Sequence, residues 1–439
     1  MKSVLRNVIL AGLTFVLAIV VAATARAAGT FFVGTCVSPS FATIQAGVNA
    51  ASAGSTVNVC PGTYPEQVTI DKRLTLQGIT VGTANQAVVA SPAGGVVANT
   101  ISLATGNPLA AQIWVHDTPG VTISNLTVDG SDNGISGCAP NLIGIYYQDA
   151  SGTVSNVVAR NQTAGLNNSP INECQWGMGI FVQSGVSTVT NKAGTSTVTV
   201  ANSNVHDFQK NGITGNEVGT TVRVRLNQVR GEGPTSGAAE NGIQIGFGAT
   251  GNITNNSVID EIYSPCVSLA DCAATASGIL IDDAAGVTTS NNHVGNTQGG
   301  VTVVSDGAFS SDDQAISGNV LNGTLVFDGI DLCGSNGGSI SNNTVADSGR
   351  GAIHLDSTCT DIGGPAGGGA NVSGNSLNEA CAGILNGSNG NTISATNTFF
   401  NVINTILVGD SCAAPTSEMS QAEIKGSGRD RILAQPARP

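Results

Sequence analysis

The chain has 439 residues, a formal net charge of −13, 58 glycines, only 4% aromatic residues and only 10% charged ones. With 41% apolar residues it is not a disordered polar chain. Phosphate neutralisation needs clustered Lys and Arg, and only Lys72, Arg73, Arg160, Lys192, Lys210, Arg223, Arg225, Arg230 and Arg350 lie between the two ends of the chain, so nucleic acid is excluded as a partner.

Residues 1–28 form the first element. Lys2 and Arg6 precede the apolar run "VILAGLTFVLAIVVAA", and "ATARAAG" supplies small residues for cleavage. This pattern predicts a secretory signal peptide; the run falls short of the ~20 residues a spanning helix needs. The mature chain is therefore expected in the periplasm or outside the cell, with no membrane span and as a monomer.

A cap is predicted over 29–54. Phe41, Ile44 and Val48 recur at helical spacing, and Ser40 is positioned as an N-cap for a helix near 40–52. Such a helix would cover the open edge of whatever sheet follows.

From 55 to 412 two short motifs alternate. The first is Gly-Ile-x-apolar, as in "GIYY" at 144, "GIQI" at 242, "GILI" at 278 and "GIDL" at 329, ending in "AIHL" at 352. The second is apolar-Ser-Asn-Asn-x-apolar, as in "ITNNSV" at 253, "ISGNVL" at 316 and "ISNNTV" at 340. Start-to-start steps of the second motif run from 21 residues (372 to 393) to 46 (154 to 200), as if loops were inserted into one fixed unit. Period-two strands this short cannot bury an apolar face alone, but stacked copies can. Asn at the bends tolerates the left-handed conformation and can bond Asn on the turns above and below. The expectation is an all-β, single-stranded right-handed parallel β-helix. A propeller would need longer, more regular blades with aromatic signatures. Residues 413–439 carry neither motif and read as a disordered tail.

Ten cysteines follow the signal: Cys36, Cys60, Cys138, Cys174, Cys266, Cys272, Cys333, Cys359, Cys381 and Cys412. An even count after an export signal reads as disulfides, and stacked strands ~4.8 Å apart suit them. Pairing in sequence order is expected, with Cys266–Cys272 closing a small lateral loop.

The stretch "TIQAGVNAASAGSTVNVCPGTYPEQVTIDKRLTLQGI" (43–79) resembles the N-terminal cap and first coil of the pectin lyase-like superfamily. The likeness is strongest to exported right-handed β-helix repeat proteins. It implies a lateral groove that often takes polysaccharide; it does not imply one activity. "YYQDASG" supplies the Tyr147, Gln148 and Asp149 of a methylesterase-like step, without that family's later motifs. "SSDDQAIS" and "FDGIDL" offer Asp312, Asp313, Asp328 and Asp331 in a frame similar to polygalacturonases, again without the remaining motifs. Asp at β-helix bends is also ordinary turn chemistry.

Stacking geometry singles out further residues. In Gly-Ile-x-apolar the x side chain points outward, giving a column Gln244, Leu280, Thr302, Asp331, His354, Leu385. Asp331, His354 and Asp356, with Asp282 nearby, are expected to form an outward, solvated acidic patch. A His beside carboxylates can act as a general acid or base, its pKa raised by them, or hold a cation such as calcium. Arg223 and Arg225 in "VRVRLNQVR" share one outward face and could grip a uronate carboxylate. Two readings stay open: a glycan-binding protein that requires no cofactor, or a lyase, hydrolase or epimerase acting on an acidic polysaccharide. Loops at 130–141, 161–176, 186–197 and 264–275 discriminate them: if they rise on the face of Asp331 and His354, the enzyme reading gains.

Overall fold

The computed structural model describes residues 27–80, 86–165, 170–264, 275–305, 309–324, 326–357 and 364–412. The signal peptide read over 1–28, apart from its last two residues, and the tail read over 413–439 lie outside them.

The chain winds as a right-handed parallel β-helix with three faces. The first face is a 13-stranded sheet; the second and third are joined in a 23-stranded sheet. They join because strands Thr344–Asp356 and Ser376–Asn386 run round the corner between them. Neighbouring turns pair in parallel, so the same position stacks on itself. On the third face, Ile145, Ile180, Ile213, Ile243, Ile279, Val301, Ile330, Ile353 and Ile384 occupy one register. These are the motif Ile positions. All are buried in one core cluster with the inward residues of the other two faces. Alternation of Val, Ile and polar residues thus fills the column, as period two requires.

The Gly of the same motif has a separate cause. A Cβ on Gly300 would stand 2.2 Å from the carbonyl oxygen of Gly329 on the next turn, and one on Gly144 would stand 2.6 Å from that of Gly179. The corner is close-packed at these turns, and the later turn at Ala352 admits a methyl group.

The Ser-Asn-Asn motif makes the corner between the first and second faces. Its first Asn takes positive φ, 57° at Asn255 and 56° at Asn342, and Gly318 and Gly374 (both 66°) replace it where Asn is missing. Its second Asn is buried and forms a ladder through Asn227, Asn256, Asn292, Asn319, Asn343, Asn375 and Asn397. Each Nδ2–H donates to the Oδ1 of the next at 2.9–3.0 Å. The stacking expected of these residues is therefore present.

One helix, Ile44–Ala50, packs Ile44, Gly47 and Val48 inward. It starts later than the 40–52 expected. Phe41 pairs with Val33 in a parallel bridge, so it is extended rather than helical. Thr43, not Ser40, is the N-cap, accepting from Ala46 N–H, while Ser40 donates to the Gly34 carbonyl. Glu66 accepts the free N–H groups of Ile44 (2.6 Å) and Gln45 (2.9 Å), which fixes where the helix begins.

Disulfides Cys36–Cys60, Cys138–Cys174 and Cys381–Cys412 follow sequence order. Cys333 is also disulfide-bonded. Cys266, Cys272 and Cys359 lie outside the described residues. Among the described residues no helix is long and apolar enough to cross a membrane.

Candidate functional site

The three corners differ. Between the first and second faces most turns are two residues, for example Asn255–Asn256 between Thr250–Thr254 and Ser257–Tyr263, with residues 79–86 between Leu74–Gly78 and Ala87–Ala90 the longer exception. The other long insertions flank the third face. The chain leaves the second face at Asp129, Gln162 and Tyr263 and enters the third only at Asn141, Met178 and Ser277. On the opposite margin, residues 184–195 separate third-face strand Met178–Gln183 from first-face strand Ser196–Ala201. The loops at 130–141 and 186–197 therefore flank one face on its two margins; those at 161–176 and 264–275 fall in part outside the described residues. That face carries Asp331 and His354.

The register Gln244, Leu280, Thr302, Asp331, His354, Leu385 is as expected from the motif. The solvated patch is not. Asp331 is 4% exposed, and His354 and Asp356 are fully buried. Sequence reading could place these side chains outward but could not supply what covers them.

They belong to a larger charged cluster. Arg350, at the corner before strand residues Gly351–Asp356, is fully buried. Its Nε donates to both oxygens of Asp328 (3.0 and 3.1 Å), and Nη2 also bonds Oδ2. Gly351 N–H donates to the same carboxylate at 2.8 Å. His354 Nδ1 stands 3.3 Å from Asp328, 3.3 Å from Asp331 and 3.7 Å from Asp356, while Nε2 stands 3.1 Å from Asp410. Asp410 is held by the backbone N–H (3.2 Å) and hydroxyl of Ser357.

Charge decides the protonation of His354. Its Nδ1 is 2.8 Å from Arg350 Nη2, a separation that suits a neutral ring accepting from the guanidinium. Burial also opposes its charge, yet Asp356 and Asp328 outweigh burial and Arg350 and hold its pKa well above the ordinary value. Four carboxylates against one guanidinium favour the cation, with Nδ1–H donating to Asp328 and Nε2–H to Asp410. Burial pushes Asp328 upward, but Arg350 and His354 reverse this and keep it strongly acidic. In Asp331 burial prevails and its pKa is raised. Burial of Asp410 is outweighed by the His354 and Ser357 hydrogen bonds, and its pKa is lowered. The cluster is a proton-holding centre with one raised and two depressed carboxyl groups around one imidazolium.

Asp328, Asp331 and His354, and separately His354, Asp356 and Asp410, bring ligand atoms within 4.8 Å of one another. The first set carries the Arg350 guanidinium on Asp328, and each set includes the imidazole. Calcium takes six to eight oxygens. The two sets supply carboxylate and imidazole donors of the kind a divalent cation takes, fewer than a full calcium shell.

The other expected residues lie elsewhere. Asp282 pairs in register with Val304, then Cys333, then Asp356, so three strand steps separate it from the cluster. Leu280, Val304 and Cys333 pack between. Lys210 senses Asp282 instead: its ammonium is buried and donates to the Ala239 carbonyl at 2.5 Å. Burial lowers its pKa to about 7, against Asp282 and Glu240. Arg223 and Arg225 do share an outward exposed face, but it is the first face, on Thr220–Arg225. They are not part of the His354 site. Asp312 accepts from Asn336 N–H at 2.7 Å and Asp313 has positive φ (57°), so both are turn residues.

Two signals were missed. Arg350, four residues before His354 in a charge-poor chain, was visible as "GRGAIHL". Asp410, 56 residues after His354, has no local signal.

A buried acid outside this cluster carries a testable consequence. Glu261 is fully buried at the corner, where a Cβ on Gly242 would come 2.8 Å from its carboxyl. Burial, then Glu240, raise its pKa well above the ordinary carboxylate range. The folded state thus binds this proton more tightly than the unfolded chain. Its stabilising effect is full below the unfolded pKa and declines as pH rises. Glu261→Gln is expected to gain ~1–3 kcal/mol near pH 8 and little near pH 4, read from thermal unfolding at both pH values. Equal effects at the two pH values would refute it.

Neither a protein-family model nor a curated protein matches the chain in sequence. Solved structures do match in shape. The Azotobacter vinelandii mannuronan C-5 epimerase AlgE4 A-module superposes with a TM-score of 0.57 at 16% identity, covering 83% of this chain and 93% of that one. A GH136 lacto-N-biosidase from Eubacterium ramulus superposes with a TM-score of 0.53 at 12% identity, covering 87% of this chain and 68% of that one. The chain has the pectin lyase-like fold. At these identities the likeness concerns the fold, and the chemistry must be argued from the residues of this β-helix.

Proposed function

We propose that this protein is an exported β-helix that binds a polysaccharide along its third face. The supporting observation is that long insertions flank that face on both margins, while most turns at the opposite corner are two residues. Loops on a rigid scaffold commonly wall a ligand site. Both matched structures carry glycan-active names, an epimerase and a lacto-N-biosidase, which agrees with a saccharide ligand. Three disulfides agree with an oxidising, extracytoplasmic location.

A second reading rests on the His354 cluster. Asp331 has a raised pKa beside a charged imidazole, and Asp356 and Asp410 stand on its other sides. That set can hold and pass a proton, as lyase, hydrolase or epimerase chemistry requires. In it Asp331 exchanges the proton, His354 holds it, and Asp356 keeps His354 charged.

The test is a panel of alginate, polygalacturonate and neutral polysaccharides, read for binding, unsaturated products and new reducing ends. Asp331→Asn and His354→Gln are expected to weaken binding at least tenfold, and to abolish turnover if turnover is found. Wild-type behaviour in both variants would move the site off the third face.

A further inference from the structure

A second cleft, of about 440 Å³, opens where the chain turns from the third face to the first. Its volume falls among small-molecule sites. Asp117, Asp149 and Lys192 line it together with Thr118, Ser151 and Ser187. It is remote from His354: the register from Gln148 to Asp356 takes seven strand steps, roughly 34 Å at ~4.8 Å each.

Asp149 is the floor. It is 8% exposed, and its Oδ1 accepts Gly185 N–H at 2.9 Å. Its Oδ2 is buried without a hydrogen-bond partner. A desolvated carboxylate oxygen left open costs free energy unless something fills it. The flanking loop closes directly on this carboxylate: a Cβ on Gly194 would stand 2.1 Å from it. Only Gly lets the loop approach, and the approach still leaves one oxygen free.

Hydroxyl donors line the same cleft. Ser151 Oγ accepts from Thr197 N–H at 2.8 Å, and Ser187 Oγ accepts from Val189 (3.2 Å) and Thr190 (3.0 Å) N–H groups. Each hydroxyl therefore keeps its own hydrogen for a further acceptor. Asp117 is engaged with His116 Nδ1 at 2.9 Å. An open acceptor flanked by free hydroxyl donors is complementary to adjacent hydroxyls on a sugar ring, each of which donates and accepts. A divalent cation fits less well, because Lys192 shares the lining and calcium would need six to eight oxygens. A uronate would bring its carboxylate against Asp149.

We propose that the cleft at Asp149 is a separate site for a neutral saccharide unit, held through a vicinal diol by Asp149, Ser151 and Ser187.

The experiment titrates the full-length protein with cellobiose, chitobiose, digalacturonate and calcium chloride, each alone, by calorimetry. A neutral disaccharide is expected to bind. Asp149→Asn should weaken it at least tenfold and Ser187→Ala severalfold, with unfolding temperatures checked against wild type. Asp331→Asn, on the third face, should leave this affinity unchanged, which separates the site from the His354 cluster. Affinity should also fall below about pH 6, where Asp149 gains its proton: burial and then Asp117 raise its pKa to about 6. Among the titratable lining groups, His116, Asp117 and Lys192 are the neighbours to control by substitution. Absence of neutral-sugar binding, preference for digalacturonate, a response to calcium alone, or unchanged affinity in Asp149→Asn would each overturn the proposal.

Discussion

Arg350→Ala is expected to lower the stability of the C-terminal coils by about 3–5 kcal/mol, the range for breaking a buried ion pair from one side. The guanidinium makes a two-point contact with Asp328, and both side chains are fully buried. Without it Asp328 keeps His354 and the Gly351 N–H, but the cluster loses one of its two positive charges. Four carboxylates would then face one imidazolium. The loss should be local, because each coil contacts only its neighbours. Hydrogen exchange should rise in strands Ile330–Cys333 and Thr344–Asp356 before strands near the N-terminus respond. Replacing both partners, as Asp328→Asn with Arg350→Met, should recover much of the loss, since a neutral pair needs no compensation. A change below about 1 kcal/mol in Arg350→Ala would show that the pair is dispensable.

What the sequence revealed follows from what repeats. Gly-Ile-x-apolar and Ser-Asn-Asn recur because each turn meets the same neighbours, so the β-helix, its inward Ile column and its Asn ladder were all readable. The same stacking placed Asp331 beside His354 correctly. Features made once were not readable in this way. Asp410 reaches His354 from two coils further on, and burial of the cluster depends on residues of no fixed spacing. Asp282 was misassigned although the column Leu280, Thr302, Asp331, His354 already puts three turns between its strand and that of Asp356, too far for contact. Arg223 and Arg225 were correctly paired with each other but sit on another face, since alternation fixes inside and outside and not which of three sides a strand occupies.

Asn319→Ala is expected to cost roughly 3–4 kcal/mol, on the basis of about 1–3 kcal/mol for each buried polar group left unsatisfied. Asn319 sits in the middle of the ladder and is fully buried. Its Oδ1 accepts both the backbone N–H (2.9 Å) and the Nδ2–H (3.0 Å) of Asn292. Its Nδ2 donates to the Thr289 carbonyl and to Asn343 Oδ1, both at 2.9 Å. Alanine removes all four bonds. It leaves two donors on Asn292, the backbone N–H and one Nδ2–H, and the Thr289 carbonyl without this partner, while Asn343 Oδ1 still accepts the Asn319 backbone N–H. Asn319→Asp is the informative companion. It keeps the acceptor for Asn292 but replaces the donor with a second oxygen facing the Thr289 carbonyl and Asn343 Oδ1. It should therefore fold better at low pH, where a protonated carboxyl can donate one of those bonds, and worse as pH rises. Asn397, the last rung, has no further ladder Asn above it among the described residues and bonds only downward, to Asn375, and to the Val372 and Ser394 carbonyls. It too makes four bonds, but it is 6% exposed and at the end of the ladder, so water can replace part of what alanine removes and the same change there should cost less. Equal losses at Asn319 and Asn397, measured by urea unfolding, would mean that each Asn acts alone and that the ladder adds nothing.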